Sequence, residues 1–212
     1  MELLPRIAKG LEEGDDELVR SLAGEALAAG VSAADVLNNG LLAGMAVIGE
    51  RFRLREIFLP DVLLAAKAMY AGLDVLRPRL ADENVPPRAK IVIGSVRGDL
   101  HDIGKNLVGI MLKGAGFDVI DLGHDVPPET FVETAIASGA TVVGMSALLT
   151  TTMPRMKDVV DLLRAREPSG RIRTIVGGAP VTAEFARAIG ADGWAFDAGS
   201  AVARVTALLE AR

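Results

Sequence analysis

The chain has 212 residues, half of them apolar, and a net charge of −5. That length and apolar content support a substantial core in one large domain or two small ones, and the absence of cysteine excludes disulfides, thiolate zinc sites and iron–sulfur clusters. The acidic excess lies in residues 1–85, which carry 9 Lys and Arg against 14 Asp and Glu while the remainder is balanced, so no basic face is available for a nucleic-acid backbone. No apolar run approaches the ~20 residues of a membrane-spanning helix, and the N-terminus lacks the basic start and apolar segment of a secretory signal. The expectation is a cytoplasmic protein with neither nucleic acid nor membrane as a partner.

Residues 1 to about 80 read as helices throughout. Asp15 to Ala29 places Leu18, Leu22, Ala26 and Ala29 near helical spacing, with Gly14, Asp15 and Asp16 at its start and Gly30 at its end. Ser32, with Asp35 three residues later, starts the next helix, which runs through Val36, Leu37, Leu41, Met45 and Ile48 towards Phe52. Phe58-Leu59-Pro60-Asp61 opens another, since proline suits the first helical turn. It continues through Leu63, Leu64, Lys67, Met69 and Leu73, and Pro78 stops it. Four helices with short connections predict an antiparallel bundle. Ala81 to Ala89 is polar, contains a proline pair and reads as a linker, which divides the chain into residues 1–85 and 86–212.

From Lys90 the chain alternates. Strands are predicted at Lys90–Ser95, Asp118–Leu122, Thr141–Ser146, Thr174–Val176 and Gly193–Phe196, the last carrying Trp194. Helices are predicted at Lys105–Ala115, Pro128–Ser138, Met153–Arg166, Thr182–Ile189 and Ser200–Ala211. Five strands alternating with five helices imply an α/β fold, a doubly wound parallel sheet with right-handed crossovers. The flavodoxin-like, Rossmann-like strand order 2-1-3-4-5 follows.

The stretch richest in chemistry is Gly98-Asp99-Leu100-His101-Asp102-Ile103-Gly104-Lys105-Asn106. It joins the first strand to the following helix, which places its groups at the carboxyl edge of the sheet, where such folds bind ligands. Asp99 lies two residues before His101. A carboxylate there can hold one ring nitrogen and leave the other free to bind a metal or move a proton. Gly104 removes a side chain where something bulky could press on the backbone. Gly177-Gly178-Ala179-Pro180 reads as a strand-to-helix turn at the same sheet edge. His124, in the loop after the second strand, reads as an exposed loop residue and not as a second ligand.

Asp99-x-His101-x-x-Gly104, followed by Ser146-x-Leu148 and Gly177-Gly178, resembles the signature of cobalamin-binding domains. More narrowly, GDLHDIGKN, MSALLTTTM and GGAPVTAEFARAIGADGWAFDA resemble the corrinoid methyl carriers of methyltransferase systems. These include the methanol and methylamine corrinoid proteins and the cobalamin module of methionine synthase, whose helical cap the first 85 residues also resemble. The resemblance implies a cobalamin cofactor, in its methylcobalamin, cob(I)alamin and hydroxocobalamin forms, bordered by Gly98, Asp99, Leu100, His101, Asp102, Ile103 and Gly104. It implies that His101 ligates cobalt from below, in place of the cofactor's dimethylbenzimidazole, with Asp99 on the other ring nitrogen. It implies a relay ending in a hydroxyl for which Ser146, Thr150, Thr151 and Thr152 are all available; spacing from His101 makes Thr152 the candidate, where relatives often have serine, and the run by itself also reads as a polar loop with an ST-type helix start. Ser146, Leu148 and Thr150 would line the channel of the displaced nucleotide tail, and Gly177, Gly178 and Ala179 would make room for its flat base. Phe52 and Leu59 match the cap positions that shield the upper face of the corrin, although periodicity alone reads both as bundle core. Arg53-Leu54-Arg55 departs from the glycine-rich turn of some relatives.

The implied function is a shuttle subunit without a substrate pocket of its own. It carries a methyl group on cobalt between a substrate-specific methyltransferase and a second methyltransferase acting on tetrahydrofolate or a thiol, with a reductive-activation protein as a further partner. The alternative is a cobalamin-dependent sensor or regulator. Such sensors use a tryptophan and an upper histidine ligand in their bundle, and residues 1–85 contain neither. Radical-mutase subunits usually lack the cap, and a receiver-like domain using Asp99 and Asp102 as acids would leave the bundle without a purpose. Methanol, methylamines, betaines and aryl methyl ethers all stand as methyl donors.

Overall fold

The computed structural model describes residues 3–83 and 87–211. Its contacts divide into two units, Met1–Pro87 with Gly114–Gly116, and Arg88–Lys113 with Phe117–Arg212.

The first unit holds α1 (Leu3–Glu12), α2 (Asp16–Ala28), α3 (Ala33–Asp35), a π-helical stretch (Val36–Leu42), α4 (Ala43–Arg53) and α5 (Leu59–Asp82). Asp15 caps α2 by accepting the Leu18 amide at 2.9 Å, and Asp16 and Glu17 set negative charge against the positive end of that helix. Ser32 caps α3 through the Asp35 amide at 3.0 Å. The Glu83 carboxylate takes the Ala33 and Ala34 amides at 2.9 and 3.1 Å, so donors that α3 itself cannot satisfy are met from the far end of α5. Ile7, Leu11, Val19, Leu22, Leu41, Ile48, Val62 and Leu76 form the buried interior. Each such side chain contributes about 1.5–3 kcal/mol on burial.

Two local features differ from the expectation. Between Ser32 and Phe52 the helix widens into π geometry over Val36–Leu42, a register that a 3.6-residue period does not express. Gly40 lies there against Ile7, whose Cγ2 would be 3.1 Å from an added Cβ. Further on, α5 does not stop at Pro78 but runs through it to Asp82. Proline deprives the Asp74 carbonyl of its helical donor. Both residues are exposed, so water can serve that carbonyl, while buried Leu76 holds the helix to the interior. The linker predicted at 81–89 overlaps the end of α5, and its residues 84–86 lie outside the described residues.

The second unit is the predicted sheet. Strands β1 (Lys90–Ser95), β2 (Asp118–Asp121), β3 (Val142–Ser146), β4 (Arg173–Gly177) and β5 (Gly193–Ala195) pair in parallel in the order β2-β1-β3-β4-β5. Helices α6 (Ile103–Gly114), α7 (Pro128–Ser138), α8 (Pro154–Arg166), α9 (Ala183–Ile189) and α10 (Ala198–Glu210) follow the strands in turn. The strands read as continuous apolar runs because both faces are covered. Val92, Val143, Met145 and Val176 bury against Phe131, Val132, Val159, Val160 and Leu163. β5 is shorter than expected: Phe196 falls outside it and is exposed, its ring edge-on to Trp194. Trp194 donates its indole N–H to the Val181 carbonyl at 2.9 Å. The strand order sets the carboxyl ends of β1, β3 and β4 side by side, and the loops leaving them build the site. Among the described residues no helix is long and apolar enough to cross a membrane.

Candidate cofactor site

The loop leaving β1 is pinned on several sides before it reaches its histidine. The Asp99 amide bonds the Val96 carbonyl at 3.0 Å, and the buried Ser95 hydroxyl donates to the His101 carbonyl at 2.7 Å. From the loop after β2, Asp125 accepts the Gly98 amide at 2.6 Å and donates its own amide to the Asp99 carbonyl at 3.0 Å. Asp125 does this at a φ of +54°, a left-handed conformation that an L side chain disfavours. α6 starts at Ile103, two residues before the expected Lys105, so the loop ends immediately after Asp102.

Asp99 is fully buried, with 0% of its surface exposed, and every contact it makes is to a donor. Oδ1 accepts the His101 ring nitrogen Nδ1 at 2.8 Å and the His101 amide at 3.1 Å. Oδ2 accepts the Leu148 amide at 2.8 Å, the Leu149 amide at 3.2 Å and the Thr152 hydroxyl at 2.7 Å. Burial pushes the Asp99 carboxyl up, but the hydrogen bonds from Thr152, Leu148 and His101 outweigh it and hold the group well below the usual carboxylate range. An ionised Asp99 keeps the ring proton of His101 on Nδ1 and leaves a lone pair on Nε2. The His101 side chain is 51% exposed, and Nε2 has no partner among the described residues.

The ground around that imidazole suits a large, flat, apolar ligand. Leu100 and Ile103, on either side of it in sequence, are 66% and 73% exposed, and Leu148 and Leu149 are exposed as well. Gly104 sits in the first turn of α6 with open space where its Cβ would be. A helical glycine costs roughly 0.5–1 kcal/mol relative to alanine, and nothing within the fold requires one there. Among the described residues no group of three or more His, Cys, Asp or Glu could hold a metal ion. An imidazole with one nitrogen held and the other open can serve as a single protein ligand to a metal.

The remaining predicted residues fall into three groups. Thr152 is the hydroxyl, of the four weighed, that bonds Asp99; Thr150 and Thr151 are exposed and Ser146 is half-buried at the end of β3. Gly177, Gly178 and Ala179 lie alongside, where the Ala147 amide donates to the Gly177 carbonyl at 3.2 Å. The protein's own backbone accounts for glycine at 178: φ is +128° and a Cβ would overlap the Ala147 carbonyl oxygen. Phe52 and Leu59 belong to the other unit, at the end of α4 and the start of α5, and both are half-buried. In the turn between them Arg55 is held at a φ of +61°. His124 is exposed, as expected. The amides of Leu148 and Leu149, the Ser95 hydroxyl and the Asp125 clamp were not expected. Backbone donors carry no side-chain signature, whereas a serine inside the apolar run 91–96 was a signal that could have been read.

Family models described as B12 binding domains match residues 89–205 and residues 3–77. The chain is 40% identical over 205 residues to a corrinoid protein of Desulfitobacterium hafniense, covering 95% of each. It is 42% identical over 210 residues to trimethylamine corrinoid protein 1 of Methanosarcina mazei, covering 98% of this chain and 97% of that protein. The solved structure of the methanol:cobalamin methyltransferase complex of Methanosarcina barkeri matches with a TM-score of 0.87 at 30% identity, over 100% of this chain and 81% of that one. The chain belongs to the B12-binding family of corrinoid proteins, and cobalamin is its cofactor.

Proposed function

We propose that this chain carries a methyl group on its cobalamin between a substrate-specific methyltransferase and a second methyltransferase that passes it to tetrahydrofolate or a thiol. The observation that carries the reading is the His101 imidazole, held at Nδ1 by a buried carboxylate and open at Nε2. The relative named for trimethylamine and the structural match titled as a methanol:cobalamin methyltransferase complex support methyl transfer as the activity.

When bound, cobalamin supplies a cobalt centre that takes up and releases a methyl group. The chain's residues do the remaining work. His101 would hold cobalt through Nε2. Asp99 keeps the ring proton on the opposite nitrogen and raises the ring's basicity, as carboxylates behind ligating histidines do. Thr152 and the Leu148 and Leu149 amides fix Asp99 and keep it ionised. Gly98, Leu100, Asp102, Ile103 and Gly104 would border the corrin, and Ser146, Leu148, Thr150, Gly177, Gly178 and Ala179 the nucleotide tail. The methyl donor is selected by the partner enzyme.

Reconstitution with methylcobalamin tests this. The loaded protein is expected to show a base-off, His-on absorption spectrum that is lost in His101→Ala, and to methylate a purified acceptor system in the dark. An unchanged spectrum in His101→Ala would defeat the axial-ligand assignment. A requirement for adenosylcobalamin together with a response to light would defeat the carrier reading in favour of a sensor.

A further inference from the structure

A second polar chain reaches the His101 loop from the other side. Lys105 is buried in the first turn of α6, with 3% of its side chain exposed, and its ammonium has acceptors on two residues. Nζ lies 2.6 Å from each carboxylate oxygen of Asp121, at the end of β2, and 2.6 Å from the side-chain oxygen of Asn106. The Asn106 side-chain amide donates to Asp102 Oδ2 at 3.1 Å, and its backbone amide to the Asp102 carbonyl at 2.7 Å. Asp102 adjoins His101. Asp121 Oδ1 also accepts the Gly123 amide at 2.8 Å, which ties in the loop that carries Asp125.

A buried lysine is costly unless paired, and pairing it with a carboxylate seldom adds net stability over an apolar replacement. Its use here is directional. An ammonium with three fixed acceptors holds α6 to the end of β2 at one azimuth, and Asn106 transmits that orientation to Asp102. The loop is thereby braced at both ends, by Asp125 on Gly98 and by Asn106, itself held by Lys105, on Asp102.

We propose that Lys105, with Asp121 and Asn106, is a positioning group for the His101 imidazole. It acts through Asp102 and sets the ring's orientation independently of the Asp99–Thr152 contact behind it. This rests on His101 being the lower ligand of cobalt, and the test reads the bare imidazole as well as the loaded protein so that the two ideas can fail separately.

Asn106→Ala is the primary variant, because Asn106 is exposed and its loss leaves the Lys105–Asp121 pair intact. Lys105→Met and Lys105→Arg accompany it. In cofactor-free protein, NMR of the ring Nδ1–H of His101 is expected to show faster exchange with water in Asn106→Ala and faster still in Lys105→Met. With methylcobalamin bound, the His-on to His-off ratio is expected to fall about tenfold, the low end of what outer partners of a metal ligand contribute. Lys105→Arg is expected to recover part of both signals. Unchanged exchange and an unchanged ratio in folded Asn106→Ala would overturn the proposal, even if Lys105→Met failed to fold. Faster exchange in the cofactor-free variant with no His-on band in any protein would keep the brace and remove the ligand assignment instead.

Discussion

Asp99→Asn changes one atom of a side chain whose surroundings are all donors, so its consequences can be worked out. The amide oxygen can serve one side only. The lower-cost arrangement turns it towards the Leu148 amide, the Leu149 amide and the buried Thr152 hydroxyl, which are three donors, and points the NH2 at His101, which water can reach. Three charge-assisted hydrogen bonds then become neutral ones, each weaker by about 1 kcal/mol, and the His101 amide loses its acceptor, for a loss of at least about 3 kcal/mol at pH 7. The NH2 also needs an acceptor, so the neutral His101 ring is expected to move its proton from Nδ1 to Nε2 and offer Nδ1 instead, the tautomer with no lone pair for a metal. The pH dependence has a definite sign. Asp99 is depressed in the folded chain, so its contribution is complete above its unfolded value of about 4 and is lost as pH falls through the folded value. Urea denaturation of the cofactor-free proteins should show the advantage of wild type over Asp99→Asn shrinking below about pH 4. Nitrogen-15 NMR of the ring reports the tautomer. A loss under about 1 kcal/mol, a gap that does not narrow in acid, or an unmoved ring proton would each refute the reasoning.

Other substitutions probe the frame. Gly178→Ala meets both a φ of +128° and the Ala147 carbonyl, and is expected to cost at least about 3 kcal/mol or to give no folded protein; a thermal melt near wild type would contradict the close approach. Arg55→Gly relieves a left-handed arginine at +61° and should gain about 0.5–1 kcal/mol in thermal denaturation. Pro78→Ala returns a donor to the Asp74 carbonyl in the C-terminal part of α5 and is expected to stabilise the protein by about 1–2 kcal/mol, against which an unchanged urea midpoint would count.

What could be read in advance follows from which physics is local. The sheet was legible because each strand is a short apolar run closed by a glycine or polar turn, and because alternation with helices leaves few topologies. The order β2-β1-β3-β4-β5 is the expected one. The ends of elements were less so. Pro78 obeys its local rule only where the lost hydrogen bond is buried, and the π turn at Val36–Leu42 depends on how Gly40 meets Ile7, a contact between distant parts of the chain. In the candidate site, Asp99 and His101 could be singled out from their spacing and Thr152 from the resemblance, and all three bond through side chains. Ser95, Asp125 and the amides after Ala147 act on or through backbone, and Lys105 looked like an ordinary helix residue until its partner on β2 was placed beside it.

Thr152 has one hydrogen and two neighbours that want it: Oγ1 lies 2.7 Å from Asp99 Oδ2 and 2.9 Å from the Leu149 carbonyl. While the carboxylate is charged the hydroxyl can point at it. Were that carboxyl to gain a proton, the same oxygen could swing its hydrogen to Leu149 and receive the new O–H in its place. A rotation about a single C–O bond therefore keeps the interior hydrogen-bonded in either charge state, with no heavy atom displaced, and the hydroxyl works as a swivel behind the imidazole.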